Sequence, residues 1–300
     1  QLREREVLHA EFIAWAREPS AQRQLNLLQP LNPAHPLRAF HAGNRYSLPI
    51  PRPAFQQALR DFYQQFYQAS NISLSLVGPV PQDTLRALAE RYTDQWATGP
   101  TCAQARPPAL MPRHETAYQQ LTGQRLNLMF PFEQLPEASD AALEFLCHWI
   151  NADKPGGLIA HLRDQQLCNS LKAEVLYQFN GQALLHLEFS APNDIAHNAA
   201  QLCETFYDWL AFFNAQQDWS SLRSEFRRLQ QRQQDVSDAL QLARRDTEQR
   251  EPGLSDQAVD ALKALLQHML PATQPAARHA WQLPAPSPFL AAPTEPANAG

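Results

Sequence analysis

Glycine is scarce in this sequence. Nine occur in 300 residues, and none falls into a GxGxxG, GxxxxGK[ST] or GxSxG pattern. Loops that cradle nucleotide phosphates and the strained turn that presents a hydrolase serine therefore have no support. Cysteine is almost as sparse: Cys102, Cys147, Cys168 and Cys203 lie far apart and form no CxxC pair. This spacing disfavours a structural zinc cluster and a disulfide scaffold alike. Isolated thiols suit a reducing compartment, and a cytoplasmic location is the expectation. Lysine occurs only at Lys154, Lys172 and Lys263, the formal net charge is -5, and no long basic tract is present. Nucleic acid is accordingly not an expected partner. No apolar run approaches the ~18 residues of a membrane-spanning helix, so no membrane partner is expected either.

Hydrophobic residues make up 44% of the chain and charged residues 18%. That is enough apolar material for two domains at roughly 150 residues each. The chain opens on Gln1-Leu2-Arg3-Glu4, with neither Met nor a signal-peptide pattern, in what reads as the middle of a helix. An N-terminally truncated fragment is the expectation.

The hydrophobic periodicity predicts helix-rich structure to about residue 29, interrupted at Pro19 and ended by Pro30. A proline-rich loop over 30–53 precedes a predicted helix over 54–69, with Phe55, Leu59, Phe62 and Phe66 as its apolar stripe. Ile72, Leu74 and Leu76 alternate with serines and predict a strand, followed by a helix over 82–96. Residues 99–113 hold Gly99, Pro100, Pro107, Pro108 and Pro112, the composition of a linker. A second cycle then begins: a strand over 125–132, helices over 138–150 and 157–167, and strands over 171–179 and 182–190. The last two are joined by Asn180-Gly181, the strongest short hairpin signal. Helices over 193–217, 219–248 and 254–270 follow. The last 30 residues hold seven prolines, which predicts extended or irregular chain. The aromatic runs Phe62-Tyr63-Phe66-Tyr67 and Phe206-Tyr207-Trp209-Phe212-Phe213 sit at helical spacings and are expected in cores.

Glu4 and Glu11 are seven residues apart, two helical turns, so both lie on one face of the first helix. Such carboxylates repel one another, and a cation beside them removes that penalty. A solvated acidic face is the ordinary reading of the pair. His9, His35 and His41 read as packed or backbone-bonding histidines, Asn44 as a loop brace or turn residue, and Gly156-Gly157 as a helix start. None of the ten histidines lies in an HxxEH spacing.

The order of these residues adds to that reading. Glu4-Arg-Glu-Val-Leu-His-Ala-Glu11 precedes Asn32-Pro-Ala-His-Pro36, then Phe40-His-Ala-Gly-Asn44, then Ser47-Leu48. Phe62, Tyr67, Asn71 and Val77-Gly78 follow in turn. The combination resembles the pitrilysin/insulysin family of metallopeptidases, the inverzincins. Asp153-Lys-Pro-Gly-Gly-Leu158 with Leu162, and Trp281-Gln-Leu-Pro-Ala-Pro-Ser-Pro-Phe-Leu290, resemble two later family segments, with Ser287 where the family usually has Asn. The run from Ala173 to Phe189 narrows the likeness to a bacterial branch acting on the short precursor peptide of a quinone cofactor.

The resemblance implies an α/β fold, α+β in detail, of two related domains with antiparallel-rich sheets packed by helices, the first incomplete. Residues 1–100 match the later part of the zinc-binding domain, 101–117 a linker, 118–292 a second domain and 293–300 a tail. It implies one Zn2+ in the active site, held by two histidines of an HxxEH helix and by a carboxylate from a later helix. Glu11 matches that carboxylate ligand, and Glu4 the residue that orients a ligand of the metal. It also implies a peptide substrate small enough to enter a chamber. The opposite wall would come from the C-terminal half of the same peptidase or from a partner subunit. Without HxxEH, the 300 residues are expected to be inactive alone. A non-catalytic peptide-binding or scaffold subunit is the alternative.

Overall fold

In the computed structural model, residues 1–39, 43–216, 218–247, 252–273, 275–285 and 287 are described. In chain order the elements are α1 (Leu2–Ala16), α2 (Pro19–Leu28), α3 (Pro53–Phe66), α4 (Gln82–Thr93), β1 (Tyr118–Thr122), β2 (Arg125–Phe132), α5 (Ser139–Ile150) and α6 (Leu158–Asp164). They continue with β3 (Ser170–Phe179), β4 (Gln182–Ser190), α7 (Ala199–Asn214), α8 (Ser220–Asp235), α9 (Ala239–Thr247) and α10 (Asp256–Met269). The chain divides into two compact units. The first comprises 1–109 and 237–250, the second 110–236 and 251–300.

The second unit is an antiparallel sheet of order β1-β2-β4-β3 covered by helices, the α+β arrangement expected. The β3–β4 hairpin turns on Asn180 (φ 46°) and Gly181 (φ 82°), both left-handed as a two-residue primed turn requires. β1 joins β2 across a turn holding Gly123 at φ 54°. Leu126, Leu128, Phe130 and Phe132 on β2 and Ala183, Leu185, Leu187 and Phe189 on β4 alternate onto one face, where they enter the core. There they meet Leu143, Leu146 and Trp149 of α5, Phe206, Leu210 and Phe213 of α7, and Leu262 and Leu266 of α10. Pro131 is tolerated in β2 because β1 reaches only to Met129, so the strand has run past its neighbour there.

The free edge of β3 is closed at its start by a side chain. Asn151, just past α5, donates from Nδ2 to the Ala173 carbonyl (2.8 Å) and accepts from the Ala173 N–H (2.6 Å). It copies a neighbouring strand's pattern and blocks that position to further pairing. A bulge between Val175 and Tyr177 then breaks the register.

The first unit is helical, and its helix starts follow proline. Pro19 and Pro53 each stand in the first turn of α2 and α3, where a missing N–H costs nothing. Three expectations are corrected here. Residues 72–78 form neither helix nor strand, and among the described residues no strand pairs with them. A ladder needs a partner as well as an alternating pattern. The aromatic stripe of α3 is exposed rather than buried, with Phe62 at 52% and Tyr63 at 61% of full exposure. Finally, the helix expected over 219–248 is two helices in different units. It breaks at Val236–Asp238, where the Asp238 carboxylate accepts from the Gln241 N–H (2.8 Å), a capping arrangement that starts α9. α9 is held within its unit by Ser75 Oγ, which donates to Asp246 (2.6 Å).

Phe206 is fully buried and packs against Phe130 and Phe189 at ring separations of 6.0 and 6.2 Å. Phe206→Ala is expected to lower unfolding free energy by about 3–5 kcal/mol, read from the urea midpoint. A loss below about 1 kcal/mol would show that this sheet face is not the core.

Candidate functional site

On α1, Glu4 and Glu11 are both exposed and point to the same side of the helix. Val7 and Leu8 lie between them at three- and four-residue spacings, and are 45% and 40% exposed. Two carboxylates thus stand in an apolar, uncovered stripe rather than on an ordinary charged face. Among the described residues neither carboxylate makes an ion pair. Glu6, on another side of the helix, does: it accepts from Arg5 Nη2 (2.9 Å) and from Arg45, and the Arg45 hydrogen bond chiefly holds its carboxyl below the ordinary range.

A zinc ion needs three or four donors in one place. Among the described residues no group of three His, Cys, Asp or Glu side chains comes together as a metal site. Glu11 offers one ligand, so the chain's described residues do not by themselves fit the metal.

The histidines behave as structural residues. His9 stacks on Phe12 (6.2 Å) and meets the Tyr46 ring edge-on (5.8 Å). His35 is buried, and its Nδ1 accepts from the Leu37 N–H (3.1 Å), capping a short turn. His41 lies outside the described residues, as do Pro288-Phe289-Leu290 and the expected tail over 293–300. Asn44 braces its loop by accepting from the N–H groups of Tyr46 and Ser47 (2.9 and 3.1 Å). Gly156-Gly157 is a tight helix start. A Cβ on Gly157 would meet the Ala152 carbonyl at 2.8 Å, and Gly156 has φ 82° beside the Gln282 carbonyl.

The sequence reading missed two groups of buried polar residues. On the sheet face opposite the core, His186 Nε2 lies 2.9 Å from Asn127 Oδ1, and its Nδ1 lies 3.4 Å from Glu174. Burial lowers the His186 pKa. Their signal was polar residues at the non-core positions of β2 and β4. The second group is Asp208 on α7, inside the apolar run Phe206-Tyr-Asp-Trp-Leu210, and Glu225 on α8, which holds Lys154 by an ion pair.

Residues 55–218 match the family model described as "Peptidase M16 inactive domain". The coenzyme PQQ synthesis protein F of Pseudomonas protegens is 52% identical over 300 residues, all of this chain and 36% of that protein. The protein of the same name from Pseudomonas syringae pv. tomato is 46% identical, over 97% of this chain and 38% of its own length. The chain therefore spans a little over a third of the curated relatives it matches. Among solved structures, pitrilysin superposes with a TM-score of 0.65 at 20% identity, over 90% of this chain and 29% of that one. The first half of the periplasmic protease PqqL from Escherichia coli gives 0.57 at 15% identity, over 89% of this chain and 59% of that one.

Among the described residues these exposed carboxylates have no ion-pair partner to hold in place. Glu4→Gln with Glu11→Gln is expected to change the stability of the 300-residue chain by less than about 0.5 kcal/mol, measured by denaturant unfolding. A loss above about 1 kcal/mol would assign the pair a structural role.

Proposed function

The chain belongs to the M16 peptidase family, through that family's inactive domain, and from this premise we propose that it is part of a zinc metalloendopeptidase cleaving a short peptide in pyrroloquinoline quinone biosynthesis. The observation that carries the reading is the uncovered stripe of α1, with Glu4 and Glu11 set among exposed apolar residues. A solvated face has no use for Val7 and Leu8, and a packed face has no use for two unpaired carboxylates. A wall of a metal-containing cavity uses both.

The family match covers 55–218, so α1 lies before its first matched residue and the match runs across the domain boundary read near residue 100. In this reading residues 1–100 are the later part of the zinc-binding domain, 101–117 the connection, and 118–292 a second domain of the same type. Glu11 supplies one carboxylate to the metal, and Glu4 orients a neighbouring ligand. The remaining ligands come from outside the described residues, and the C-terminal half of the peptidase or a partner subunit faces this one across the substrate. The four cysteines are free. Burial first of all pushes Cys147 to about 12 and Cys168 to about 11. Four unpaired thiols, two of them made unreactive by burial, fit the cytoplasm.

A second reading is a non-catalytic subunit that binds peptide or holds a partner. It is favoured by the inactive-domain match and by the absence of a three-ligand cluster among the described residues. The two readings separate on metal.

In the full-length protein, Glu11→Gln is expected to abolish stoichiometric zinc binding, read by calorimetry, and to remove peptide hydrolysis. Glu4→Gln should weaken zinc about 10- to 100-fold. Undiminished zinc affinity in Glu11→Gln would remove the ligand assignment. The 300-residue chain alone is expected to hydrolyse no peptide; chelator-sensitive cleavage by it would contradict the reading.

A further inference from the structure

The proline-rich stretch after α10 has the composition of a loose linker, yet it is tied down by side chains that sequence reading does not single out. Asp208 is 5% exposed and accepts four hydrogen bonds from this stretch. They come from the Arg278 N–H (2.7 Å), the His279 N–H (3.1 Å), His279 Nδ1 (2.7 Å) and Trp281 Nε1 (2.7 Å). Trp281 is buried against the core, and its ring lies 4.5 Å from that of His161 on α6. The carbonyl of Gln282 closes over Gly156. Glu225, 4% exposed, makes the second anchor: it accepts from the Ser287 N–H (3.0 Å) while paired with Lys154.

We infer that Asp208 is a positioning residue that locks residues 277–285 onto α6 and α7 as a rigid strap. With Glu225 holding Ser287, this segment moves with the second unit instead of serving as a free linker. A buried carboxylate with four donors leaves no unsatisfied group in the closed form, whereas opening the strap strands a charge in a partly apolar site. Lifting residues 278–281 breaks all four of these bonds at one side chain. Burial would raise the Asp208 carboxyl, but the donors from Arg278, Trp281 and His279 outweigh it and hold it at about 2. Its stabilising contribution is present above the ordinary carboxylate range and is lost only as pH falls through about 2, so the lock stays set across neutral pH.

Arg278 makes the test direct, because trypsin cuts after arginine and this one lies inside the strap. In the 300-residue chain, cleavage at Arg278 is expected to be roughly tenfold or more faster in Asp208→Asn than in the parent chain. Cleavage at Arg163 and Lys172, within the unit, should be unchanged. Trp281→Phe, which removes one donor and keeps the ring, should fall between. Equal Arg278 cleavage in parent and Asp208→Asn, with the unit intact, overturns the assignment. Should Asp208→Asn fail to fold, hydrogen exchange of the parent chain decides: protected amides at Arg278 and His279 support the lock, and free exchange at both overturns it.

Discussion

An apolar layer must be covered from both sides, and the two units of this chain meet that constraint differently. In the second unit one face of a four-stranded sheet is sealed by α5, α7 and α10, and Phe130, Phe145, Phe189 and Phe206 lose all contact with solvent. In the first unit only part of the apolar surface has a cover. Ala21, Leu28 and Leu31 are buried, while α3 shows solvent its aromatic stripe and the segment 72–78 leaves Leu74 half exposed. Exposed apolar area of this extent marks a surface meant for contact. The carboxylates of α1 stand on such a surface, which is why their exposure and the proposed role are compatible.

Buried polar groups in the second unit follow the complementary rule, that a polar atom taken from water must find a partner. Asn151 spends both ends of its amide on one residue of an edge strand. Asp208 and Glu225 take backbone and side-chain donors from a segment that forms neither helix nor strand. Each uses a single side chain to replace hydrogen bonds that regular structure would otherwise supply. Among the described residues after α10, 277–285 are held by these side chains without helix or strand of their own.

Local chemistry was legible in the sequence. Asn180-Gly181 specified its hairpin, Pro19 marked the break between the first two helices, Pro53 ended the loop before α3, and β2 was readable from the alternation of Leu126, Leu128 and Phe130, a pattern local to the strand. What depends on distant chain was not. Ile72, Leu74 and Leu76 carry a strand's pattern, but pairing is a property of two segments, and the aromatics of α3 carry a core's pattern without a cover. β1 escaped notice because Tyr118-Gln-Gln-Leu-Thr122 has little alternation and is recruited by β2. The cap at Asp238 was present in the sequence as Asp-x-x-Gln, though a continuous helical period masked it. Of the candidate site, the shared face of Glu4 and Glu11 was readable from spacing, and their proposed chemistry came from family resemblance. Asp208 was hidden because one carboxylate in an apolar helix says nothing of the donors that reach it from seventy residues on.

The central claim is that the carboxylate at position 11 belongs to a metal centre. Zinc-edge anomalous diffraction from crystals of the zinc-loaded full-length protein tests it most directly. The account predicts a metal peak with a Glu11 oxygen about 2.0–2.2 Å away, at the apolar stripe of α1. A metal fully coordinated by other side chains, with Glu11 still facing solvent, would contradict it.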